Sequence, residues 1–163
     1  MLPNHLHVIW LGGMLPNSSE YPYRRRLMLW QEMNPHWKIT LWSDLEGRER
    51  EQLSKWCLNL NIALSSPENI YMGSGERIIF KGECSKRFYV TASDLLRLRV
   101  LYQYGGFYVD FDVLPRKLPN GSLPLAIALL LRNWDGKLAA VNPHAIASYP
   151  AHPLLQMALW EAE

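Results

Sequence analysis

Asp110 and Asp112 stand two residues apart at the end of the run Phe107-Tyr108-Val109-Asp110-Phe111-Asp112. Carboxylate oxygens are hard donors. If the chain turns after Asp110, the pair can reach one hard divalent cation, Mn²⁺ or Mg²⁺. Such a cation keeps positions open for substrate phosphates, so it would neutralise a diphosphate and assist its departure. The triplet alone is a weak signal. The chain has five aspartates, so a chance match comes easily, and a turn or helix-capping pair is the ordinary alternative. The context argues against chance. Phe107 to Val109 is apolar and should be buried, and two carboxylates at the exit of a buried strand repel each other unless a cation lies between them.

Asp94 and Arg97 are three residues apart on a preceding helical pattern and share a face. They read either as a helical ion pair or as a ligand clamp, with Asp accepting from hydroxyls and Arg offering a planar donor fork. Trp10 closes an apolar run just before Gly12-Gly13. It is either a core tryptophan or a flat face for a base, with the glycines letting a ligand approach the backbone. His5 and His7 share one side of the same run, but metal ligation there would need further ligands that the sequence does not supply. Arg24, Arg25 and Arg26 lie on an amphipathic pattern, and a solvated face is the default reading.

These residues need elements to position them. Residues 5–11 are expected to form a strand stopped by Gly12-Gly13. A helix is expected over 20–33, ended by Asn34-Pro35, and a strand over 37–42. Residues 46–59 look helical and 60–64 like a short strand, whereas glycines at 73, 75 and 82 leave 66–86 without a readable period. Leu95, Leu98, Leu101 and Tyr102 give 91–104 helical spacing, with Thr91 or Ser93 as cap and Gly105-Gly106 as stop. A buried strand, 107–110, ends at Asp110. Residues 125–131 and 137–141 are candidate strands, and a last helix starts at His152-Pro153. Carboxylates beyond the end of a strand stand where open α/β sheets bind ligands. The alternation of strands and helices implies an α/β sandwich with a largely parallel sheet.

The 163 residues fit one domain, 1–163, with enough apolar content to bury a core. The formal net charge of +2 is too small to argue for nucleic acid, and no dense basic run is interleaved with aromatics. Two cysteines, Cys57 and Cys84, lack metal-like spacing and suit a reduced compartment. No basic flank precedes the first apolar run, so no signal peptide is expected and the chain is expected to be cytoplasmic as synthesised. The apolar run 123–131 is too short to span a bilayer. The last helical pattern has no stop signal before Glu163, so the domain is expected to be incomplete at its C-terminal end.

IWLGG near the start, NPHWKITLW, and SDLLRLRVLYQYGGFYVDFDV resemble the glycosyltransferases with a DXD sugar-binding region. These include the glucosyltransferase domains of the large clostridial cytotoxins and the yeast-type initiating mannosyltransferases. HLHVIWLGG, with TASDLLR followed by GGFYVDFDVLP, resembles the toxin-type branch in particular, and VNPHAIASYPAHPLLQMAL resembles the segment after that family's central sheet. The resemblance implies a GT-A fold, a Rossmann-like sandwich, and a nucleotide-diphosphate sugar donor, UDP-sugar favoured over GDP-sugar. It also implies a saccharide or protein hydroxyl as acceptor, retention at the anomeric carbon, and export of a toxin-type protein as an effector. By resemblance Trp10 stacks the base with Val8 and Ile9 flanking it, Asp94 binds ribose and sugar hydroxyls, Arg97 contacts the donor sugar and Tyr108 lines the donor site. Asp112 is then the direct metal ligand, and Asp110 binds ribose or sugar and reaches the metal through water. Asp110, Asp112 and Arg97 are the residues expected to carry catalysis. Two rivals remain at this level. A glycoside hydrolase would set its carboxylates about 5–10 Å apart, normally on separate elements, which the spacing of 110 and 112 fits poorly. An inactive nucleotide-sugar-binding or interaction fragment would bind without turnover.

Overall fold

Alternation along the first strand makes the sheet two-sided. In β1 (His5–Trp10), Leu6 and Val8 join a core cluster with Trp30, Ile39 and Leu53, while Ile9 joins a second cluster with Leu96, Val100 and Tyr108. Successive side chains of a strand point to opposite faces, so one six-residue segment feeds both layers. The computed structural model describes residues 2–118, 130–132, 138–141 and 144–160.

After β1 come α1 (Tyr23–Met33), β2 (Lys38–Ser43), α2 (Gly47–Asn59) and β3 (Ile62–Ser65). A single 3₁₀ turn, Pro67–Asn69, then leads to α3 (Ser74–Ser85), α4 (Tyr89–Tyr104) and β4 (Gly106–Val109). β5 (Leu130–Arg132) and β6 (Leu138–Val141) form an antiparallel pair, and β7 (Ala145–Ser148) and α5 (Pro153–Trp160) follow. The main sheet has the order β3-β2-β1-β4-β7. Its pairings are parallel except the last, in which β7 runs antiparallel to β4. This is the expected α/β fold with a mostly parallel sheet, and the chain moves outward from β1 through β2 and β3 before crossing to β4 on the other side. The carboxyl ends of β1 and β4 therefore flank a topological switch point, where such sheets bind ligands.

α1 and α2 supply Leu27, Trp30, Leu53 and Cys57 to one face, and α3, α4 and α5 supply Phe80, Leu96, Leu101 and Leu159 to the other. α4 packs on α3, α5 and the sheet, so it is apolar on several sides rather than along one stripe. Both cysteines are free thiols.

Several sequence expectations change. Residues 66–86, which show no period, hold α3, because Gly75 and Gly82 face open space and are tolerated inside a helix. α4 begins at Tyr89 with Phe88 at its N-cap and no side-chain cap, so Thr91 and Ser93 are helix residues and not caps. β7 is a strand that the sequence reading left out. Residues 125–129 of the expected strand 125–131, residue 137 and the end of the last helix pattern at 161–163 lie outside the described residues. His5 and His7 are buried in the sheet. His5 Nε2 lies 2.8 Å from Thr40 Oγ1, and His7 Nε2 donates to the Gly105 carbonyl at 2.9 Å while Trp42 Nε1 donates to His7 Nδ1 at 3.2 Å. Their donors and acceptors serve the core.

Candidate functional site

A cleft of about 490 Å³ opens at the switch point, lined among others by Trp10, Gly12, Tyr89, Arg97, Asp110 and Asp112. That lies within the roughly 300–1,000 Å³ of small-molecule sites. Gly105 and Gly106 explain how the strand carrying the aspartates reaches it. Both have positive φ, +63° and +98°, and a Cβ on Gly106 would stand 2.2 Å from the His5 carbonyl oxygen. Only glycine turns here and lets β4 lie this close to β1.

Beyond β4 the chain turns at Asp110, with Val113 N–H bonding the Asp110 carbonyl at 3.1 Å. The turn brings Asp110 and Asp112 to the cleft together. The Asp110 carboxylate is held on its Oδ1 by the Tyr108 hydroxyl, with Arg97 Nη2 at 3.6 Å, and on its Oδ2 by His144 Nδ1 at 2.5 Å. Burial pushes the Tyr108 phenol far above its ordinary pKa; Arg97 opposes the shift, and Asp110 adds to it. The hydroxyl stays protonated and donates. Arg97 is only 5 % exposed. Its guanidinium lies 4.7 Å from the Tyr108 ring centre and bonds Asp94 Oδ1 at 2.6 Å. The helical ion pair is present, and the buried Arg97 joins the exposed Asp94 to Asp110 in the cleft. Asp112 is exposed.

Trp10 forms a wall rather than a core plug. It is part-buried, its Nε1 donates to the Gly13 carbonyl at 3.0 Å, and its ring meets Tyr23 at 5.3 Å and Phe111 edge-on at 5.8 Å. The Gly12 N–H is fixed by the Asp44 carboxylate at 2.9 Å, and Tyr89 lies directly over Gly12, where a Cβ would clash at 2.2 Å. Ile9 lines the cleft, whereas Val8 is 1 % exposed in the opposite layer and does not. The three arginines divide: Arg25 is exposed, Arg24 lies over Trp56 and bonds the Leu15 carbonyl, and Arg26 bonds the Phe111 carbonyl at 2.6 Å inside the aspartate turn. The expected solvated face holds for Arg25 alone.

Sequence reasoning missed His144, Tyr89, Tyr23 and Asp44. His144 precedes a four-residue strand with two alanines, too short and too plain for a period. Asp44 sits in a loop and acts through a backbone N–H, which leaves no pattern. Asp110, Asp112 and His144 each bring one donor atom within 4.8 Å of the others.

A mostly parallel α/β sheet with a carboxylate pair at its switch point and an aromatic wall beside it is the GT-A-type fold expected from the sequence. The chain belongs to the family described as the glycosyltransferase sugar-binding region containing the DXD motif, whose model matches residues 24–125. Asp110-Phe111-Asp112 is its only D-x-D triplet. Over 132 residues the chain is 26 % identical to Subversion of eukaryotic traffic protein A of Legionella pneumophila, covering 80 % of this chain and 20 % of that protein. The PaToxG glycosyltransferase shares the fold with a TM-score of 0.72 at 22 % identity, over 97 % of this chain and 59 % of that one. A solved transferase structure superposes with a TM-score of 0.68 at 15 % identity, over 99 % of this chain and 78 % of that one. The chain thus spans about one fifth of the Legionella relative's length. Among the described residues, no helix is long and apolar enough to cross a membrane.

Proposed function

We propose that the cleft binds a nucleotide-diphosphate sugar, a UDP-sugar in preference to a GDP-sugar, and passes the sugar to a saccharide or protein hydroxyl with retention. The observation that carries this reading is the convergence of Arg97, Tyr108, Asp110 and Asp112 on one cleft beside Trp10. Hard carboxylate oxygens on a turn fit Mn²⁺ or Mg²⁺. Held by Asp112, with Asp110 in support, such a cation would neutralise the diphosphate and help it leave.

The chain's own residues do the rest. Trp10 offers a flat wall for the base, with Ile9 beside it. Asp94 accepts hydrogen bonds from ribose or sugar hydroxyls. Arg97 fixes both Asp94 and Asp110 and presents donors to the sugar. Tyr108 holds Asp110 through its hydroxyl, so that carboxylate keeps one orientation as substrate arrives, which is the preorganisation catalysis rewards. Retention and the preference for uridine rest on the family resemblance. Likeness to a Legionella protein named for the subversion of eukaryotic traffic supports action as an exported effector.

The test is donor hydrolysis, followed by NMR, with UDP-glucose, UDP-GlcNAc, UDP-galactose and GDP-mannose, each with and without Mn²⁺. One UDP-sugar should be cleaved in a Mn²⁺-dependent manner with the α-anomer released first. Equal cleavage without divalent cation counts against metal dependence, β-anomer first counts against retention, and GDP-mannose as the best donor counts against the uridine preference.

A further inference from the structure

We infer that His144 is a third protein ligand of this cation site and that its nitrogen biases the site toward Mn²⁺ over Mg²⁺. The inference rests on the reading of Asp110 and Asp112 as cation-binding residues.

The sheet itself delivers His144. β7 pairs antiparallel with β4, Gly106 opposite Ser148 through Val109 opposite Ala145. One step further, residue 144 lies against Asp110, and the Asp110 N–H bonds the His144 carbonyl at 2.7 Å. The register is therefore set by backbone and does not depend on a bound ion. The side chains then meet, with His144 Nδ1 at 2.5 Å from Asp110 Oδ2. The other oxygen, Oδ1, is taken by Tyr108 and faces Arg97. Asp110 thus has a protein side and a site side, and His144 is on the site side.

One donor each from Asp110, Asp112 and His144 lie within 4.8 Å of one another. Neighbouring ligands of an octahedral cation at about 2.1 Å stand about 3 Å apart, so His144 Nδ1 and Asp110 Oδ2, now 2.5 Å apart, need part only slightly to face one ion together. The His144 side chain is 48 % exposed and borders the cleft. The buried His5 and His7 lie inside the sheet with their ring nitrogens on core partners. Mn²⁺ stands lowest among the first-row transition ions in affinity for nitrogen, yet it accepts an imidazole more readily than Mg²⁺, which keeps to carboxylate, phosphate and water oxygen. A site with two carboxylates and one imidazole therefore favours Mn²⁺.

The experiment titrates Mn²⁺ into the protein with UDP, reads free Mn²⁺ by EPR and the bound ion by electron spin-echo envelope modulation, and competes with Mg²⁺. The bound ion should show coupling to a directly ligated ¹⁴N. In His144→Ala and His144→Gln that coupling should vanish and Mn²⁺ affinity should fall about tenfold or more, with Mg²⁺ affinity falling less. His144→Asp should narrow the Mn²⁺-to-Mg²⁺ preference. Melting temperatures of the variants confirm that the exposed position tolerates the change, and the conservative Gln variant carries the test if Ala unfolds. Tight Mn²⁺ without ¹⁴N coupling, or an unchanged Mn²⁺-to-Mg²⁺ ratio in both His144→Gln and His144→Asp, overturns the role of His144 alone. No Mn²⁺ binding by the unmodified protein overturns the cation reading of Asp110 and Asp112 as well.

Discussion

Asp110 and Asp112 differ by two positions and meet opposite surroundings. Asp110 is gripped by Tyr108, Arg97 and His144, whereas Asp112 is exposed. A held carboxylate and an exposed one suit a site that must keep its shape and still accept an ion with its substrate. Trp10 is the other residue with two readings, since it packs against the core and also lines the cleft. Its ring is part-buried and edges against Phe111 and Tyr23. A fully buried Trp changed to Ala costs roughly 3–5 kcal/mol, and Trp10 should cost less than that because one face is open. If a base stacks there, the loss should be on the order of 1–3 kcal/mol in binding, by analogy with single-stranded nucleic-acid platforms. Calorimetric titration with UDP and thermal melting of the same Trp10→Ala sample give both numbers. Unchanged affinity in the folded fraction would make Trp10 a packing residue only.

At the scale of elements, the Gly105-Gly106 turn decides where the aspartates arrive. Gly106→Ala forces a Cβ to 2.2 Å from the His5 carbonyl at a φ of +98°. Overpacking and backbone strain each cost about 1–3 kcal/mol, so a loss of roughly 2–6 kcal/mol is expected. Gly82→Ala in α3 meets nothing within 4 Å and should stabilise by about 0.5–1 kcal/mol. Urea unfolding of both variants checks the pair, and equal midpoints would mean that β4 can shift away from β1 at no cost. The same elements show what was legible. β1, α1, β2, α2, β3, α4 and β4 each carry a period or a stop that can be read from residue types, and the aspartates follow from the strand that ends at them. α3 was hidden because Gly75 and Gly82 mimic breakers while its packing on α4 overrides their low propensity. β7 was hidden because Ala145–Ser148 is short and its identity as a strand comes from pairing with β4. His144 enters the site only through that pairing, so no local pattern could have shown it.

At the scale of the whole molecule, the cleft depends on a sheet held by two buried histidines. Burial, with Lys38 adding, lowers the His5 pKa to about 4, and burial, with His5 adding, lowers the His7 pKa to about 3. Both folded values lie below the unfolded value near 6.5. The unfolded chain therefore binds more protons across that window, and stability is full above pH 6.5 and declines as pH falls toward 4 and then 3. The melting temperature should drop between pH 7 and pH 4.5, and the His5→Asn, His7→Gln double variant should melt lower at pH 7 but with a flatter slope. An equal slope in the variant would assign the acid sensitivity to carboxylates elsewhere.

The central claim is that this cleft holds a nucleotide diphosphate through a cation on the aspartate pair. The most direct measurement is calorimetric UDP binding with Mn²⁺ and with chelator, for the unmodified chain and for Asp112→Asn. The substitution keeps the shape and removes the charge at an exposed position, so folding should be untouched. The account predicts binding that requires Mn²⁺ and falls about a hundredfold or more in Asp112→Asn, on the scale of losing a hydrogen-bonded charge contact of roughly 3 kcal/mol. Undiminished Mn²⁺-dependent affinity in that variant, or equal affinity in chelator, would contradict it.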